Sequence, residues 1–150
     1  MEKIADIVLP EGYVPSEDEE YMSPKQRAFF YRLLVEWRHQ LMEDADKTLA
    51  AMTEEKAIFA DPTDRAALET DRNFELRTRD RERKLIGKID RTLAVIEANE
   101  YGFCEECGVE IGLKRLEARP VTDLCISCKT RAERREKVNI SEDEEIMEES

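Results

Sequence analysis

The 150-residue sequence has no run of about 18 apolar residues, the minimum from which a membrane-spanning helix is read, so no membrane protein is expected. Its start, MEKIADIVLPEG, lacks a basic segment followed by a long apolar stretch, so no secretory signal is read there. Positive charge is in deficit too: 24 Lys and Arg stand against 36 Asp and Glu, a formal net charge of −12. Binding to a nucleic-acid backbone rests on Lys and Arg displacing counterions, so direct DNA binding is not expected. Histidine is limited to His39, read as a surface or seam residue, and the one tryptophan, Trp37, is read as packing at a helical base. Neither is assigned a site.

What is present is charge, at 40% of the chain, against roughly 25% in an average domain. A large compact core is excluded by that figure, and long helices with narrow apolar seams fit it. The charge is also unevenly placed. Residues 1–24 hold seven acids and one base and residues 140–150 six acids and no base, whereas residues 72–91 hold eight bases and four acids.

Residues 1–22, with Pro10, Gly12 and Pro15, read as a partly ordered arm that carries a short helix or packs on the base of the molecule. Ser23-Pro24-Lys25-Gln26 offers a capping hydroxyl, a proline at the first helical position and a Gln placed to reach back to the cap's N–H. Behind it Phe30, Leu34, Trp37, Leu41, Ala45, Leu49, Met52 and Phe59 follow three- and four-residue steps with Lys56 interrupting before Phe59, one stripe of a long helix. A second pattern runs from about Asp64 to Ala98, with Leu68, Leu85, Ile89, Thr92 or Leu93, and Ile96 on one face and only Gly87 as a potential breaker. Helices of this length measure about 50 Å each. Joined by a turn around 60–63, they predict an antiparallel coiled-coil hairpin over 23–99 with its tip near 60–66. Between 69 and 84 only Phe74 and Leu76 interrupt the polar run, so the distal half is expected to project from the core.

Cys104, Cys107, Cys125 and Cys128 fall as C-x2-C, seventeen residues, C-x2-C. Two such turns bring four thiolates around one tetrahedral Zn²⁺, and in a reducing cytoplasm this spacing points to metal before disulfide. A redox C-x-x-C would need a βαβ unit that is not read here, and a catalytic zinc would keep a position open that four cysteines fill. The module, over 100–138, is expected to be small, zinc-ribbon-like and closed by a short basic helix, with 139–150 a disordered acidic tail. The fold class is therefore mainly α: a long antiparallel hairpin, a four-cysteine module and a C-terminal helix.

Three strings in order, FADPTDRAA at the turn, RTRDRERKLIGKID on the return helix and the C-x2-C-x3-I-x3-R-x4-P-x4-C-x2-C module, resemble the DksA/TraR family over roughly residues 20–137. The resemblance implies a non-enzymatic transcription factor that binds bacterial RNA polymerase in its secondary channel, acts on ribosomal RNA promoters and works with the alarmone ppGpp. Carried over by position, the tip residues are Asp61, Asp64 and Ala66. The ppGpp and polymerase-rim residues are Arg81, Leu85, Lys88, Arg119 and Lys129. The family's acid between the last two cysteines is Ser127 here. A monomer in the cytoplasm is expected. Taken by themselves, Asp61-Pro62-Thr63-Asp64 is ordinary turn and cap chemistry, while the bases of 77–88 read equally as a solvated helix face or, with Arg81, Lys84, Leu85 and Lys88 stepping by three and four along one face, as a face suited to a polyphosphate. A Gre-like transcript-cleavage factor, a nucleic-acid-binding zinc finger protein and, last, a metalloenzyme are the rival readings.

Overall fold

A computed structural model describes residues 3–58 and 62–149, with side chains at 3–51, 67 and 69–139. The elements in order are a 3-10 turn at Ile4–Asp6, helix α1 (Pro24–Ile58), helix α2 (Pro62–Glu97), helix α3 (Leu113–Ala118) and helix α4 (Ile126–Glu149). Among the described residues there is no strand, only an isolated antiparallel bridge between Phe103 and Glu110. The protein is mainly α, as its periodicity predicts.

Helices α1 and α2, of 35 and 36 residues, form the hairpin. Pro62 opens α2 earlier than the expected start near Asp64, because a proline fixes φ for helix and lacks only an N–H that the first turn does not use. Asp64 therefore falls inside the first turn and not at its cap. At the other end Asn99 takes a φ of 61°, the Asn99 N–H bonds the Ile96 carbonyl at 3.0 Å and the Glu100 N–H bonds that of Val95 at 3.1 Å. That is a Schellman closure, in which Asn replaces the usual glycine at the left-handed position. It turns the chain directly into the cysteine module.

The core lies at this open end of the hairpin. Phe30 and Leu34 of α1 and Ile89 and Ile96 of α2 are fully buried, together with Tyr101, Ile111, Leu113 and Leu116 of the module. Each such aliphatic or aromatic side chain contributes roughly 1.5–3 kcal/mol by leaving water. Farther out, Leu49, Phe74 and Leu76 are exposed, so among the described residues the distal half shows no buried apolar seam. One cross-helix ion pair, Arg38 Nε to Asp90 Oδ1 at 2.6 Å, marks where the base gives way to the arm. With both partners more than a third exposed, it contributes little stability.

The N-terminal residues are sewn to the base. Gln26 is fully buried: its Oε1 accepts the Met22 N–H at 2.8 Å and its Nε2 donates to the Ser16 carbonyl at 3.1 Å. The expected reach of Gln26 to the Ser23 N–H is displaced by one residue, because that N–H is already taken by the Glu20 carbonyl at 3.1 Å. Tyr21 sets its hydroxyl between the carbonyls of Gly102, at 2.6 Å, and Ile111. Burial, and after it the charge of Glu110, pushes that phenol up to about 12.

Helix α4 differs from expectation. It continues to Glu149 where a disordered tail over 139–150 was predicted after a short helix. No Gly or Pro interrupts 126–149, and Glu, Met, Lys and Arg are strong helix formers. Repulsion between exposed like charges costs only about 0.2–0.5 kcal/mol per helical pair, too little to break that run.

Gly102 holds a φ of +96°, and a Cβ there would stand 2.8 Å from the Tyr21 hydroxyl and 3.0 Å from Met22 Cγ. Gly102→Ala is expected to cost roughly 2–4 kcal/mol in urea unfolding, backbone strain plus displacement of Tyr21. Gly12→Ala, at a φ of +72° with nothing within 4 Å, is expected to cost only the strain, roughly 1–2 kcal/mol. Equal losses at the two sites would show that the Tyr21 contact contributes nothing.

Candidate functional site

The four cysteines sit on two facing turns. In the first, the Cys104 N–H bonds the Val109 carbonyl at 2.9 Å and the Gly108 N–H returns to the Cys104 carbonyl at 2.9 Å. Gly108 supplies the left-handed φ of +76° that this tight reversal needs. The second turn leads into α4, with Cys125 just before its first residue and Cys128 in its first turn, and the Glu105 N–H bonds the Asp123 carbonyl at 2.9 Å, tying turn to turn.

All four Sγ atoms lie within 4.8 Å of one another, with Cys107 and Cys125 at 3.6 Å. A tetrahedral zinc at roughly 2.3 Å from each sulfur sets them about 3.8 Å apart, so the cluster fits that ion. Four soft donors and no carboxylate or imidazole complete the coordination shell, which makes the role structural and leaves no place for a substrate.

The thiols are unlike one another. Backbone N–H groups of Cys107 and then Cys125 pull Cys104 down to about 6, and the backbone of Cys128 lowers Cys125. For Cys107 the Val109 N–H draws downward, but burial and hydrogen bonds with the Cys104 and Cys125 sulfurs outweigh it and the net shift is upward. Cys128 is pushed up to about 12, first by its hydrogen bond with Cys125 and then by burial. Near neutral pH the metal-free set therefore holds protons on Cys107 and Cys128 that a metal must displace.

A second feature lies beside this centre. A cavity of about 250 Å³ opens where α1, α2, α3 and the start of α4 meet, lined by Trp37, Lys88, Arg115, Arg119, Asp123 and Lys129 among others. Three of the five predicted ppGpp and rim residues, Lys88, Arg119 and Lys129, are brought together here from three elements. Leu85 is instead half-buried against the core, and Arg81 lies seven residues, about two turns, before Lys88 on α2. Neither lines the cavity.

Arg115 and Trp37 were not singled out as site residues from sequence. Arg115 stands in the Ile111-x3-Arg115-x4-Pro120 string, which was a signal, whereas Trp37 looked like packing alone. Arg115 is held by its Nε bond to the Leu124 carbonyl at 3.3 Å. Of the predicted tip residues, Asp61 lies outside the described residues. Asp64 and Ala66 are on the helical backbone at the start of α2, and their side chains lie outside the described set.

Zinc uptake by the metal-free protein near neutral pH is expected to release at least two protons, those of Cys107 and Cys128. Calorimetric enthalpies in buffers of different ionisation heat measure that number. Release of none would contradict the assigned protonation pattern.

Comparison with known proteins agrees with both halves of this architecture. Residues 26–96 match the family described as DnaK suppressor protein DksA, N-terminal domain, and residues 99–134 match the prokaryotic dksA/traR C4-type zinc finger. The RNA polymerase-binding transcription factor DksA of Escherichia coli is 56% identical over 127 residues, covering 85% of this chain and 84% of that protein. The protein of the same name from Haemophilus influenzae is 48% identical over 134 residues, 89% and 92% of the two chains. Among solved structures, transcription factor DksA2 from Pseudomonas aeruginosa superposes with a TM-score of 0.72 at 38% identity, covering 78% of this chain and 90% of the other. With a long helical hairpin, a four-thiol centre at its base and this degree of likeness along both, the chain belongs to the DksA/TraR family.

Proposed function

We propose that the protein is a cytoplasmic, non-enzymatic transcription factor that binds RNA polymerase without binding DNA directly, and that it acts as a monomer. The observation that carries this reading is the likeness to proteins named RNA polymerase-binding transcription factor DksA, which runs through 85% of the chain at 56% identity. Among the described residues no helix is long and apolar enough to cross a membrane.

The base, made of the hairpin's open end and the zinc module over 100–138, docks on the rim of the polymerase secondary channel. The hairpin, over 23–99, reaches inward along the channel. Its polar distal half supports this role: a segment without a buried seam of its own gains contacts on entering another protein and loses none of its core. At about 50 Å it has the length to carry Asp61, Asp64 and Ala66 well away from the docking surface. There the two aspartates act on the active centre or its mobile elements, and promoters with short-lived open complexes respond most.

ppGpp binds where factor and polymerase meet, with Lys88, Arg119 and Lys129 as charge-assisted donors to its phosphates. Arg81 and Leu85, on the adjoining stretch of α2, face the polymerase side of that contact. The cavity supports an interface site by its size. At about 250 Å³ it falls short of the roughly 300–1,000 Å³ that enclose a drug-sized ligand, so a nucleotide seated here leaves part of itself to a second wall.

Multi-round transcription from a ribosomal RNA promoter by purified polymerase tests the whole reading: the protein is expected to inhibit, and ppGpp to deepen the inhibition. Asp61→Asn is expected to abolish regulation while the affinity for polymerase stays within about twofold, less than one ordinary hydrogen bond. Parallel loss of binding would sink the tip assignment. Lys88→Ala or Lys129→Ala is expected to raise the ppGpp concentration for half-effect by roughly tenfold, the scale of one charged hydrogen bond.

A further inference from the structure

The cationic cavity has one wall that phosphate chemistry does not use. Trp37, the only tryptophan of the chain, reaches it from α1, while the cations come from α2, α3 and the turn and helix that follow. Trp37 is half-buried and packs against the core. The Arg38 to Asp90 bridge, next along α1 and two residues from Lys88 on α2, places the two helices side by side at this level. An aromatic side chain lining a cavity with four cations and a single carboxylate, Asp123, is a combination suited to a ligand with an anionic end and a flat aromatic end.

We propose that Trp37 is the base-recognition residue of this site, its indole stacking on the purine of the bound nucleotide while Lys88, Arg119 and Lys129 hold the phosphates. This rests on the proposed ppGpp site and assigns its base-binding wall. Stacking on an indole needs no hydrogen-bond partner, so it orients the nucleotide before the polymerase surface closes over it. Cations by themselves accept any polyphosphate. The indole discriminates in favour of one that carries a large base.

The test uses the full-length protein with polymerase and reads the ligand concentration for half-maximal inhibition, normalised to each variant's own ligand-free inhibition. The probes are ppGpp and its base-free analogue, ribose 3′,5′-bis(diphosphate). With the wild-type protein the analogue is expected to be about tenfold weaker, the scale of one base–aromatic stack. With Trp37→Leu, ppGpp is expected to weaken by a similar factor and the preference for it over the analogue to shrink towards one; Trp37→Phe is expected to fall between. Because the ratio of two ligands is taken on one protein, a variant that folds less well does not mimic the result. Two arms separate the claims. No response of the wild-type protein to ppGpp overturns the nucleotide-site reading itself. A wild-type response that is lost in Lys88→Ala but whose ppGpp preference is unchanged in Trp37→Leu and Trp37→Phe overturns the role of Trp37 and leaves the site standing.

Discussion

The thiolate tetrahedron is the constraint on which the rest of the base depends. The turn carrying Cys104 and Cys107 and the turn carrying Cys125 and Cys128 share one backbone bond, from the Glu105 N–H to the Asp123 carbonyl. Neither turn contains enough apolar surface to hold the other. A metal that takes two sulfurs from each makes one body of them. That body then presents Tyr101, Ile111 and Leu116 to Phe30, Leu34 and Ile96, and the hairpin acquires a rigid foot. Tyr101 fixes the inner edge of this contact by donating to the Pro120 carbonyl at 2.7 Å, in surroundings whose burial raises its pKa far above that of a free phenol.

Stability and reach are separated along the same two helices. From residue 24 to about 41 on α1, and from about 85 to 97 on α2, the facing side chains are apolar and buried or half-buried. Beyond them the contacts are polar, and helix continuity rests on intrinsic propensity and on pairing along each helix. A lever needs such a division. The foot sets the direction in which the arm leaves the base.

The hairpin was legible because apolar steps of three and four persist through thirty residues, a signal that tertiary context seldom overrides. The metal centre was legible because only a few chemistries need two C-x2-C turns. Where reading stopped short, competing local rules were at work. Pro62 signals a helix start as strongly as Pro24 does, but the turn string around it drew the boundary towards Asp64. The acidic end of α4 was read by its like charges when propensity and the absence of Gly and Pro carried the helix onward. Trp37 lies in the apolar stripe, so its place in that stripe hid its second face. The cavity depends on α3, a six-residue helix too short to leave a periodic trace, and it brings together positions as far apart as 37 and 129.

A chain of net charge −12 that presents a cluster of cations resolves once distance is considered. Fields between exposed charges fade over roughly 8 Å at physiological ionic strength. On the proposed reading a polyanion as large as DNA would meet the acidic ends, over 1–24 and 140–150, as well as the basic patch. A nucleotide in the proposed site would instead meet Lys88, Arg119 and Lys129 at short range, with Asp123 as the one acid in the lining. The same separation lets the tip aspartates and a basic foot coexist on one hairpin: about 40 Å of helix lies between the start of α2 and Lys88, several screening lengths. On the proposed reading, net charge bears on large polyanionic partners, while local charge bears on the small ligand of the cavity.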